Sequence, residues 1–260
     1  MYTFIGDAGF DDYTSVHERH LGGCSLNVAT HFMRNSNSKA TLIYPAASDG
    51  QVIINHCQKE GIQAVPLFRE GKTPVQFIET LESGEKNFTE YKSGVLENFQ
   101  FTKEELQLIK ELEGHIVCPL YSQILPFVDQ LIEAKPRAKF IFDFHDAQGF
   151  EIEKYLKVAE LALFGLTPSH DLEFYLREFV KAHKISVLIT RGAGEISFFN
   201  KNESISYTPQ PVDVVIDSTG AGDAFLGAYL AHKNLEKASH YAKSILSVRG
   251  AGTNRDFEDL

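Results

Sequence analysis

Seven residues near the carboxyl end of the chain combine two glycines with carboxylates at the start of an apolar helix. Residues 217–223 read Asp-Ser-Thr-Gly-Ala-Gly-Asp and lead into the apolar segment 224–231. Glycines let backbone amides approach a phosphate, and the positive end of a helix adds to the attraction. A carboxylate just beyond them, Asp223, is able to take a proton from an attacking alcohol. The predicted chemistry is phosphoryl transfer to a hydroxyl, with Asp223 as the base and an anion hole formed by the amides of Gly220, Ala221 and Gly222.

Ordinary helix capping would explain single residues of this stretch, because Ser, Thr, Gly and Asp are all favoured at helix starts. The full order Asp-x-Thr-Gly-Ala-Gly-Asp is more specific. It resembles the second signature of the PfkB, or ribokinase-like, carbohydrate kinases.

A second group of polar residues lies near the amino end. Gly22 and Gly23 precede Asn27 on a predicted helix, and Asp11 follows the opening strand Phe4-Ile5-Gly6-Asp7. The two glycines predict a close approach at the helix start, with Ser25 as its cap. This pattern resembles the first PfkB signature, and the predicted sugar-binding residues are Asp11, Gly23 and Asn27.

The resemblance also implies a nucleotide site that uses ATP and Mg²⁺. Residues 190–195, Thr-Arg-Gly-Ala-Gly-Glu, resemble the family's nucleotide loop, but the second glycine comes one residue early. The implied ATP-binding residues are Thr190, Gly192 and Gly194, and a plain turn between strands is the alternative. Glu173 is the candidate for magnesium support through water, although Ser169 replaces the family's Asn and helix capping by Ser169 or Asp171 is the alternative.

A monovalent cation near Asp217 and the Gly250-Ala251 segment is also implied by the resemblance.

Short apolar runs that alternate with amphipathic segments predict the elements that position these residues. The expected fold is α/β: a ribokinase-like three-layer α/β/α sandwich with a mostly parallel central sheet and a small β lid. Predicted strands cover residues 2–6, 41–44, 116–118, 140–144, 161–164 and 186–190. Predicted helices cover residues 25–34, 50–60, 103–112, 121–134, 172–183, 221–231 and 235–248.

Residues 75–81 and 86–91 break this alternation and predict a hairpin about the turn 82–85. In the PfkB family such strands form a lid over the sugar, and the resemblance places the lid around residues 73–95, with Tyr91 against the substrate. A lid excludes water from the reaction. An edge hairpin that pairs with a second subunit, as in a homodimer, is the alternative, and the two are compatible.

Length and composition agree with one kinase domain over residues 1–260. The net charge of −10 without a basic run argues against nucleic acid as a partner. The sequence shows neither a long apolar stretch nor a leader, so neither a membrane span nor secretion is expected. Three widely spaced cysteines are typical of reduced thiols. The expected location is the cytoplasm, and the expected partners are a small sugar and ATP.

Within the family, the chain looks most like the fructoselysine 6-kinase branch, because of its opening Ile5-Gly6-Asp7, its lid segment 90–95 and the Phe-Asp-Phe-His-Asp run at 142–146. This branch implies a sugar or sugar-amine acceptor. A nucleoside kinase and a catalytically silent sugar- or nucleotide-binding regulator on the same fold are the alternatives. A nicotinamide dehydrogenase is disfavoured, since carboxylates stand where a pyrophosphate would bind.

Overall fold

The computed structural model describes residues 1–80, 86–146, 151–167, 171–212 and 214–253. The strands in these ranges are β1 (Tyr2–Ile5), β2 (Gly9–Tyr13), β3 (Glu18–Gly22), β4 (Ala40–Ala46), β5 (Gln63–Phe68), β6 (Val75–Thr80), β7 (Lys86–Lys92), β8 (His115–Pro119), β9 (Lys139–Asp143), β10 (Ala159–Gly165), β11 (Ser186–Thr190), β12 (Ile196–Phe199) and β13 (Ser204–Tyr207). The helices are α1 (Cys24–Asn35), α2 (Gln51–Glu60), α3 (Lys103–Lys110), α4 (Leu125–Ala134), α5 (Ile152–Leu156), α6 (Leu172–Ala182), α7 (Ala221–His232) and α8 (Leu235–Ile245).

The chain divides into two compact units. One contains residues 1–3 and 100–211, and the other contains residues 4–99 and 212–260. Strand β1 therefore begins in the first unit and ends in the second.

The first unit is built on parallel strands in the order β11-β10-β9-β8, with β8 beside the start of β1. Strands β12 and β13 extend the sheet beyond β11 in antiparallel pairing. The strand interiors are almost continuously apolar, as in β9 and β10, which is typical of parallel strands covered on both faces. Helices α5 and α6 pack on β10 and β11.

In the second unit, the fully buried strand β4 lies between the end of β1 and the parallel strand β5. Helix α1 packs on β4 and on α7, and α7 packs in turn on α8. The contact between α1 and α7 is close because α7 has a glycine there: a Cβ on Gly227 would lie 2.8 Å from atoms of Val28, His31 and Phe32. This contact sets the distance between the helix starts that carry Asn27 and Asp223.

The second unit also contains a four-stranded sheet in the order β3-β2-β6-β7. Strands β6 and β7 pair antiparallel, as the predicted hairpin requires, while the predicted turn 82–85 lies outside the described residues. Sequence reasoning missed the hairpin of β2 and β3, which pairs with β6 and completes this sheet. Most half-buried strands are predicted from alternating apolar and polar residues, and the polar residues of β2 and β3 do not show this alternation.

The predicted α/β class and the mostly parallel sheet are confirmed. Helix boundaries fall close to the predicted ones, except that α4 begins at Leu125 rather than at residue 121 and α8 ends at Ile245 rather than at residue 248. Besides β2 and β3, strands β5, β12 and β13 and the short helix α5 were not predicted from the sequence. Among the described residues, none of the helices is long and apolar enough to cross a membrane.

Candidate active site

The turn into α7 exposes bare backbone at the positive end of a helix. Gly220 precedes the helix with a φ of 72°, and a Cβ there would lie 2.5 Å from the Cβ of Ala251. A Cβ on Gly222 would meet no atom of the described residues within 4 Å. The amide of Ala221 donates to the carbonyl of Ser218 at 3.2 Å. The geometry suits an anion at the helix start, and the assignment of an anion hole to these amides stays a prediction.

The start of α1 is held by a carboxylate from the end of the neighbouring strand. The amides of Cys24 and Ser25 donate to Asp7 at 2.9 and 3.0 Å. Gly23 adopts a φ of 100°, and a Cβ there would lie 2.8 Å from the Cα of Ala8. The predicted cap by Ser25 is wrong: its hydroxyl is buried and has no hydrogen-bond partner among the described residues. Asp7 provides the cap from a distance of 17 residues along the chain.

The two predicted signatures meet in a hydrogen bond between α1 and α7. The Nδ2 of Asn27 donates to the Oδ2 of Asp223 at 2.9 Å, and the two side chains are 4% and 8% exposed. A hydrogen bond to a charged group contributes about 1.5–3 kcal/mol, and here it also orients the carboxylate. The Oδ1 of Asn27 is buried without a partner among the described residues. That oxygen is therefore able to accept a hydrogen bond from a ligand hydroxyl.

Asp11 belongs to the same acidic group. Its side chain is 6% exposed, and Gly22 makes room for it, since a Cβ on Gly22 would lie 2.4 Å from its Oδ1. Burial, and then the negative charges of Asp223 and Asp7, together raise the pKa of Asp11 to about 8. Together with Asp217, these residues form an acidic cluster.

Tyr91 lies on the same sheet face as Asp11. Asp11 is in register with Gln76 on β6, and Gln76 is in register with Tyr91 on β7. Residues in register on neighbouring strands point to the same face. With strands about 4.8 Å apart, Tyr91 lies roughly 10 Å from Asp11, a distance that a small sugar would span. Its contact with substrate stays a prediction.

Asp217 holds together the segments that flank the turn. Its carboxylate accepts hydrogen bonds from the hydroxyl of Tyr13 and from the amides of Thr219 and Gly250, both at 2.9 Å. It is 1% exposed. Because an ionised carboxylate offers about four acceptor sites, these three donors leave at most one for a cation, which fits an ordered loop better than a metal ligand. The residues present therefore do not fit the implied monovalent cation.

The predicted nucleotide residues lie in the other unit. Thr190 ends β11, and Gly192 follows with a φ of 59° and no atom of the described residues within 4 Å of its Cβ position. The amide of Gly194 donates to the carbonyl of Arg191 at 2.8 Å and closes a tight turn. The early position of Gly194 therefore shortens the loop to a tight turn. Bare backbone at this turn fits a phosphate, and the ATP-binding assignment stays a prediction.

Glu173 is held by two arginines. Its carboxylate pairs with Arg177 at 2.8 Å and with Arg191 of the nucleotide turn. Although burial would raise the pKa of Glu173, the hydrogen bonds from both arginines outweigh burial and lower it. Among the described residues, no group of three His, Cys, Asp or Glu side chains could hold a metal ion. Magnesium support by Glu173 stays a prediction, and its visible contacts are with Arg177 and with the turn through Arg191.

Of the two predicted caps of the helix that carries Glu173, only Asp171 lies in the described part of the chain. Helix α6 begins after Asp171, but no hydrogen bond from the Asp171 side chain caps it within the described part of the chain. Ser169 lies outside the described residues.

Sequence reasoning missed three residues that shape the site: Asp7 as a cap, Tyr13 at Asp217, and His31 behind the turn. The two glycines ahead of α1 were a usable indication of Asp7, because a helix start without its own capping side chain needs another acceptor. Nothing in the local sequence pointed to Tyr13, whose partner is 204 residues away.

Comparison with known families gives a match over most of the chain. Residues 11–247 match the "pfkB family carbohydrate kinase". Among curated proteins, fructoselysine 6-kinase of Escherichia coli K12 is 23% identical over 236 residues, covering 87% of this chain and 86% of that protein.

Solved structures share the fold. Ribokinase from Giardia lamblia superposes with a TM-score of 0.78 at 16% identity, covering 96% of this chain and 94% of that one. An Escherichia coli protein assigned as ribokinase II, in complex with ATP and Mg²⁺, superposes with a TM-score of 0.74 at 17% identity, with coverage of 96% and 94%. The fold is therefore ribokinase-like.

Proposed function

We propose, because the chain belongs to the pfkB family of carbohydrate kinases, that it transfers the γ-phosphoryl group of ATP to a hydroxyl of a small sugar or sugar-amine. The family's enzymes are phosphotransferases with an alcohol acceptor. The observation that carries the proposal for this chain is the hydrogen bond from Asn27 to Asp223. It joins the predicted base to a predicted sugar ligand, with Asp11 in the same acidic cluster.

In the proposed reaction, Asp223 accepts the proton of the attacking hydroxyl. Asp11, Gly23 and Asn27 hold the sugar, and Tyr91 contacts it from the lid strand. The amides of residues 220–222 stabilise charge on the transferred group. Positioning and electrostatics supply most of the rate enhancement in such transfers.

The nucleotide would be held at the turn of Thr190, Gly192 and Gly194. Support comes from the open backbone at Gly192 and from the ATP and Mg²⁺ in the Escherichia coli structure. Magnesium, when bound with ATP, neutralises charge on the phosphates. Since Glu173 is neutralised by two arginines, this chain's own contribution near the metal is to order the turn through Arg191.

The acidic cluster favours an acceptor that is neutral or cationic. Asp11 faces the charges of Asp223, Asp7 and Asp217, so a sugar that already carries a phosphate would be repelled. A ketose joined to an amine fits this field, and the similarity to fructoselysine 6-kinase supports the same class. Fructoselysine is therefore our first candidate acceptor.

The acceptor is tested by measuring ADP release with fructoselysine, fructose, ribose, tagatose and nucleosides, each with ATP and Mg²⁺. We expect the highest kcat/KM with fructoselysine and a kcat lower by about 10²-fold or more in the Asp223→Asn control. A preference for a nucleoside would replace the sugar assignment with a nucleoside kinase. Binding of sugar and ATP without ADP release from any acceptor would favour a silent regulator.

We also propose that the sheet of β2, β3, β6 and β7 covers the sugar and pairs with a second copy through its edge strand β7. Phe88 on this edge is 60% exposed, which is unusual for a large apolar side chain on a free edge. Sedimentation velocity of the wild type and of Phe88→Glu tests the pairing. A dimer that Phe88→Glu dissociates supports it, and a monomeric wild type contradicts it.

A further inference from the structure

Two distant segments meet directly behind the turn into α7. Residues 217–219 lead into the turn, and residues 250–252 pack beneath it, where Ala251 occupies the space that a side chain at Gly220 would need. The segments are joined by the hydrogen bond from the Gly250 amide to Asp217. Any shift of the second segment would therefore move the backbone proposed to bind the transferred phosphate.

Tyr13 fixes the first of these segments. Its hydroxyl donates to the Oδ2 of Asp217 and lies 3.2 Å from the Oγ1 of Thr219, and the side chain is 1% exposed. Burial, and then the hydrogen bond to Asp217, raise the pKa of Tyr13 well above its ordinary value, so the phenol stays protonated and remains a donor. Tyr13 lies two residues after Asp11 on β2 and thus links the sugar-binding strand to the turn.

His31 fixes the second segment. Its Nε2 lies 2.8 Å from the carbonyl oxygen of Ala251, and its Nδ1 lies 3.0 Å from the hydroxyl of Tyr241. A carbonyl only accepts, so Nε2 carries the proton and donates it to Ala251. His31 is fully buried and stands one helical turn after Asn27 on α1. The same helix therefore orients the predicted base and holds the segment beneath the turn.

These contacts already use acceptor sites on the oxygen atoms that a monovalent cation would bind. Hard cations bind carboxylate and carbonyl oxygens, and here the carboxylate of Asp217 and the carbonyl of Ala251 accept hydrogen bonds from Tyr13, from Gly250 and from His31. The donors also stabilise the buried charge of Asp217, which would otherwise be costly. The side chains of Tyr13 and His31 thus stabilise these oxygen atoms, as a bound cation would.

We infer that Tyr13 and His31 are positioning residues that hold the phosphate-binding turn in place of a monovalent cation, so that the kinase works without potassium or sodium. The inference rests on the proposed function of the turn at residues 220–222. Its prediction about cation binding can be measured separately from turnover.

The first experiment compares the wild-type protein in potassium chloride, sodium chloride and tetramethylammonium chloride at 100 mM and equal pH. We expect ADP release with the best acceptor to differ by less than about 2-fold among the salts, and Tm by less than about 1 °C. An ion bound at 100 times its Kd would raise Tm by about 5 °C or more. Such a rise, or activation of 5-fold or more by potassium, would overturn the inference.

The second experiment removes single donors. Tyr13→Phe deletes only a hydroxyl, and we expect kcat to fall about 10-fold with the sugar KM changed by less than about 3-fold. Tyr44→Phe is the matched control, because its buried hydroxyl has no hydrogen-bond partner among the described residues; its kcat should equal that of the wild type. Equal kcat values for Tyr13→Phe and Tyr44→Phe would contradict the role of Tyr13.

His31 is tested by a pair of variants. His31→Gln keeps an N–H donor near the position of Nε2, whereas His31→Leu removes it. We expect His31→Leu to lose about 10-fold in kcat and His31→Gln to recover at least half of that loss on a logarithmic scale. Equal losses in two folded variants would assign His31 a packing role only.

The outcomes separate the two proposals. If the wild type releases no ADP with any acceptor, the proposed function fails, while the Tm comparison among salts still decides whether an ion binds. If activity is present but depends on potassium, the kinase stands and the inference about Tyr13 and His31 fails.

Discussion

At the residue scale, the proposed chemistry depends on how Asp223 is oriented. Its carboxylate is buried in the first turn of α7 and receives the side-chain amide of Asn27. A base must lie within hydrogen-bond reach of the hydroxyl that it deprotonates. Asn27 serves this requirement because its hydrogen bond fixes the orientation of the carboxylate.

Asp223→Asn should remove the base and leave the shape of the site intact. We expect kcat to fall by about 10²-fold or more, with sugar KM changed by less than about 3-fold, since general bases typically contribute 10²–10⁴-fold. Steady-state ADP release measures both constants. A near-normal kcat in this variant would place the base elsewhere.

Asp11 and Asp12 form a natural matched pair. Successive side chains of a strand point to opposite faces; Asp11 faces the acidic cluster, whereas Asp12 forms an ion pair with Arg19 at 2.6 Å on the other face. Asp11→Ala should raise sugar KM about 10-fold or more with a smaller change in kcat, because its proposed hydrogen bonds form in the ground state and the transition state alike.

Asp12→Ala should leave both constants within about 2-fold of the wild type. Titration of sugar at saturating ATP measures the two variants side by side. If Asp11→Ala changed only the KM for ATP, the sugar pocket would have to be assigned to other residues.

At the scale of elements, the site is a consequence of helix packing. Helices α1 and α7 approach closely at Gly227, and each begins at a glycine with positive φ, Gly23 and Gly220. Glycine at these starts lets the backbone turn without strain. The two helix starts therefore lie side by side, and their first turns bring together a donor and a carboxylate.

Two glycines of α7 should respond in opposite ways to substitution by alanine. At Gly227 a Cβ would collide with backbone atoms of α1, so we expect Gly227→Ala to destabilise the protein by about 1–3 kcal/mol. At Gly222 the Cβ position is open among the described residues, so Gly222→Ala should not lower stability, since alanine favours helices by about 1 kcal/mol.

For protein that is folded, we expect Gly222→Ala to lose more activity than Gly227→Ala. Gly222→Ala should lower kcat about 10-fold, because its methyl group would occupy space next to the proposed phosphate position. Thermal unfolding and ADP release measure the two effects. Full activity of Gly222→Ala would argue against a phosphate at this turn.

At the scale of the whole molecule, the acidic cluster should couple folding to pH. The pKa of Asp11 is about 8 in the folded protein, against an ordinary value of 3.8. Between these values, the folded protein keeps a proton that the unfolded chain releases. Stability therefore falls as pH rises from about 4 to 8, and this contribution levels off above pH 8.

Asp11→Asn should remove this dependence. We expect its Tm to exceed that of the wild type by about 3–6 °C at pH 8.5, and the difference to shrink toward zero at pH 4.5. Thermal unfolding at a series of pH values measures the effect, with Asp12→Asn as the control. A difference that does not change with pH would show that Asp11 is ionised throughout.

A higher Tm of Asp11→Asn at pH 8.5 would mean that the converging acidic groups of the binding site lower the stability of the fold. The net charge of −10 lowers the stability further at neutral pH, because the negative charges repel one another. A cationic or hydroxyl-rich acceptor would reduce the repulsion among these carboxylates when it binds. Ligand binding should accordingly raise Tm more at pH 8 than at pH 5.

The sequence by itself determined the α/β class, most helices of the sheet layers, and the two signatures that carry the proposed base and sugar ligands. These features are local: periodic apolar positions, glycine pairs and a carboxylate at a helix start express themselves within about ten residues. The same local information indicated the hairpin of β6 and β7.

Only the tertiary structure decided which side chains support the site. The cap of α1 by Asp7, the bond from Tyr13 to Asp217 and the contact of His31 with Ala251 join residues that are 17, 204 and 220 positions apart. The polar strands β2 and β3 also became visible only through their pairing with β6. Side-chain hydrogen bonds of this kind leave no periodic pattern, because each depends on where the packed helices and strands place two single atoms.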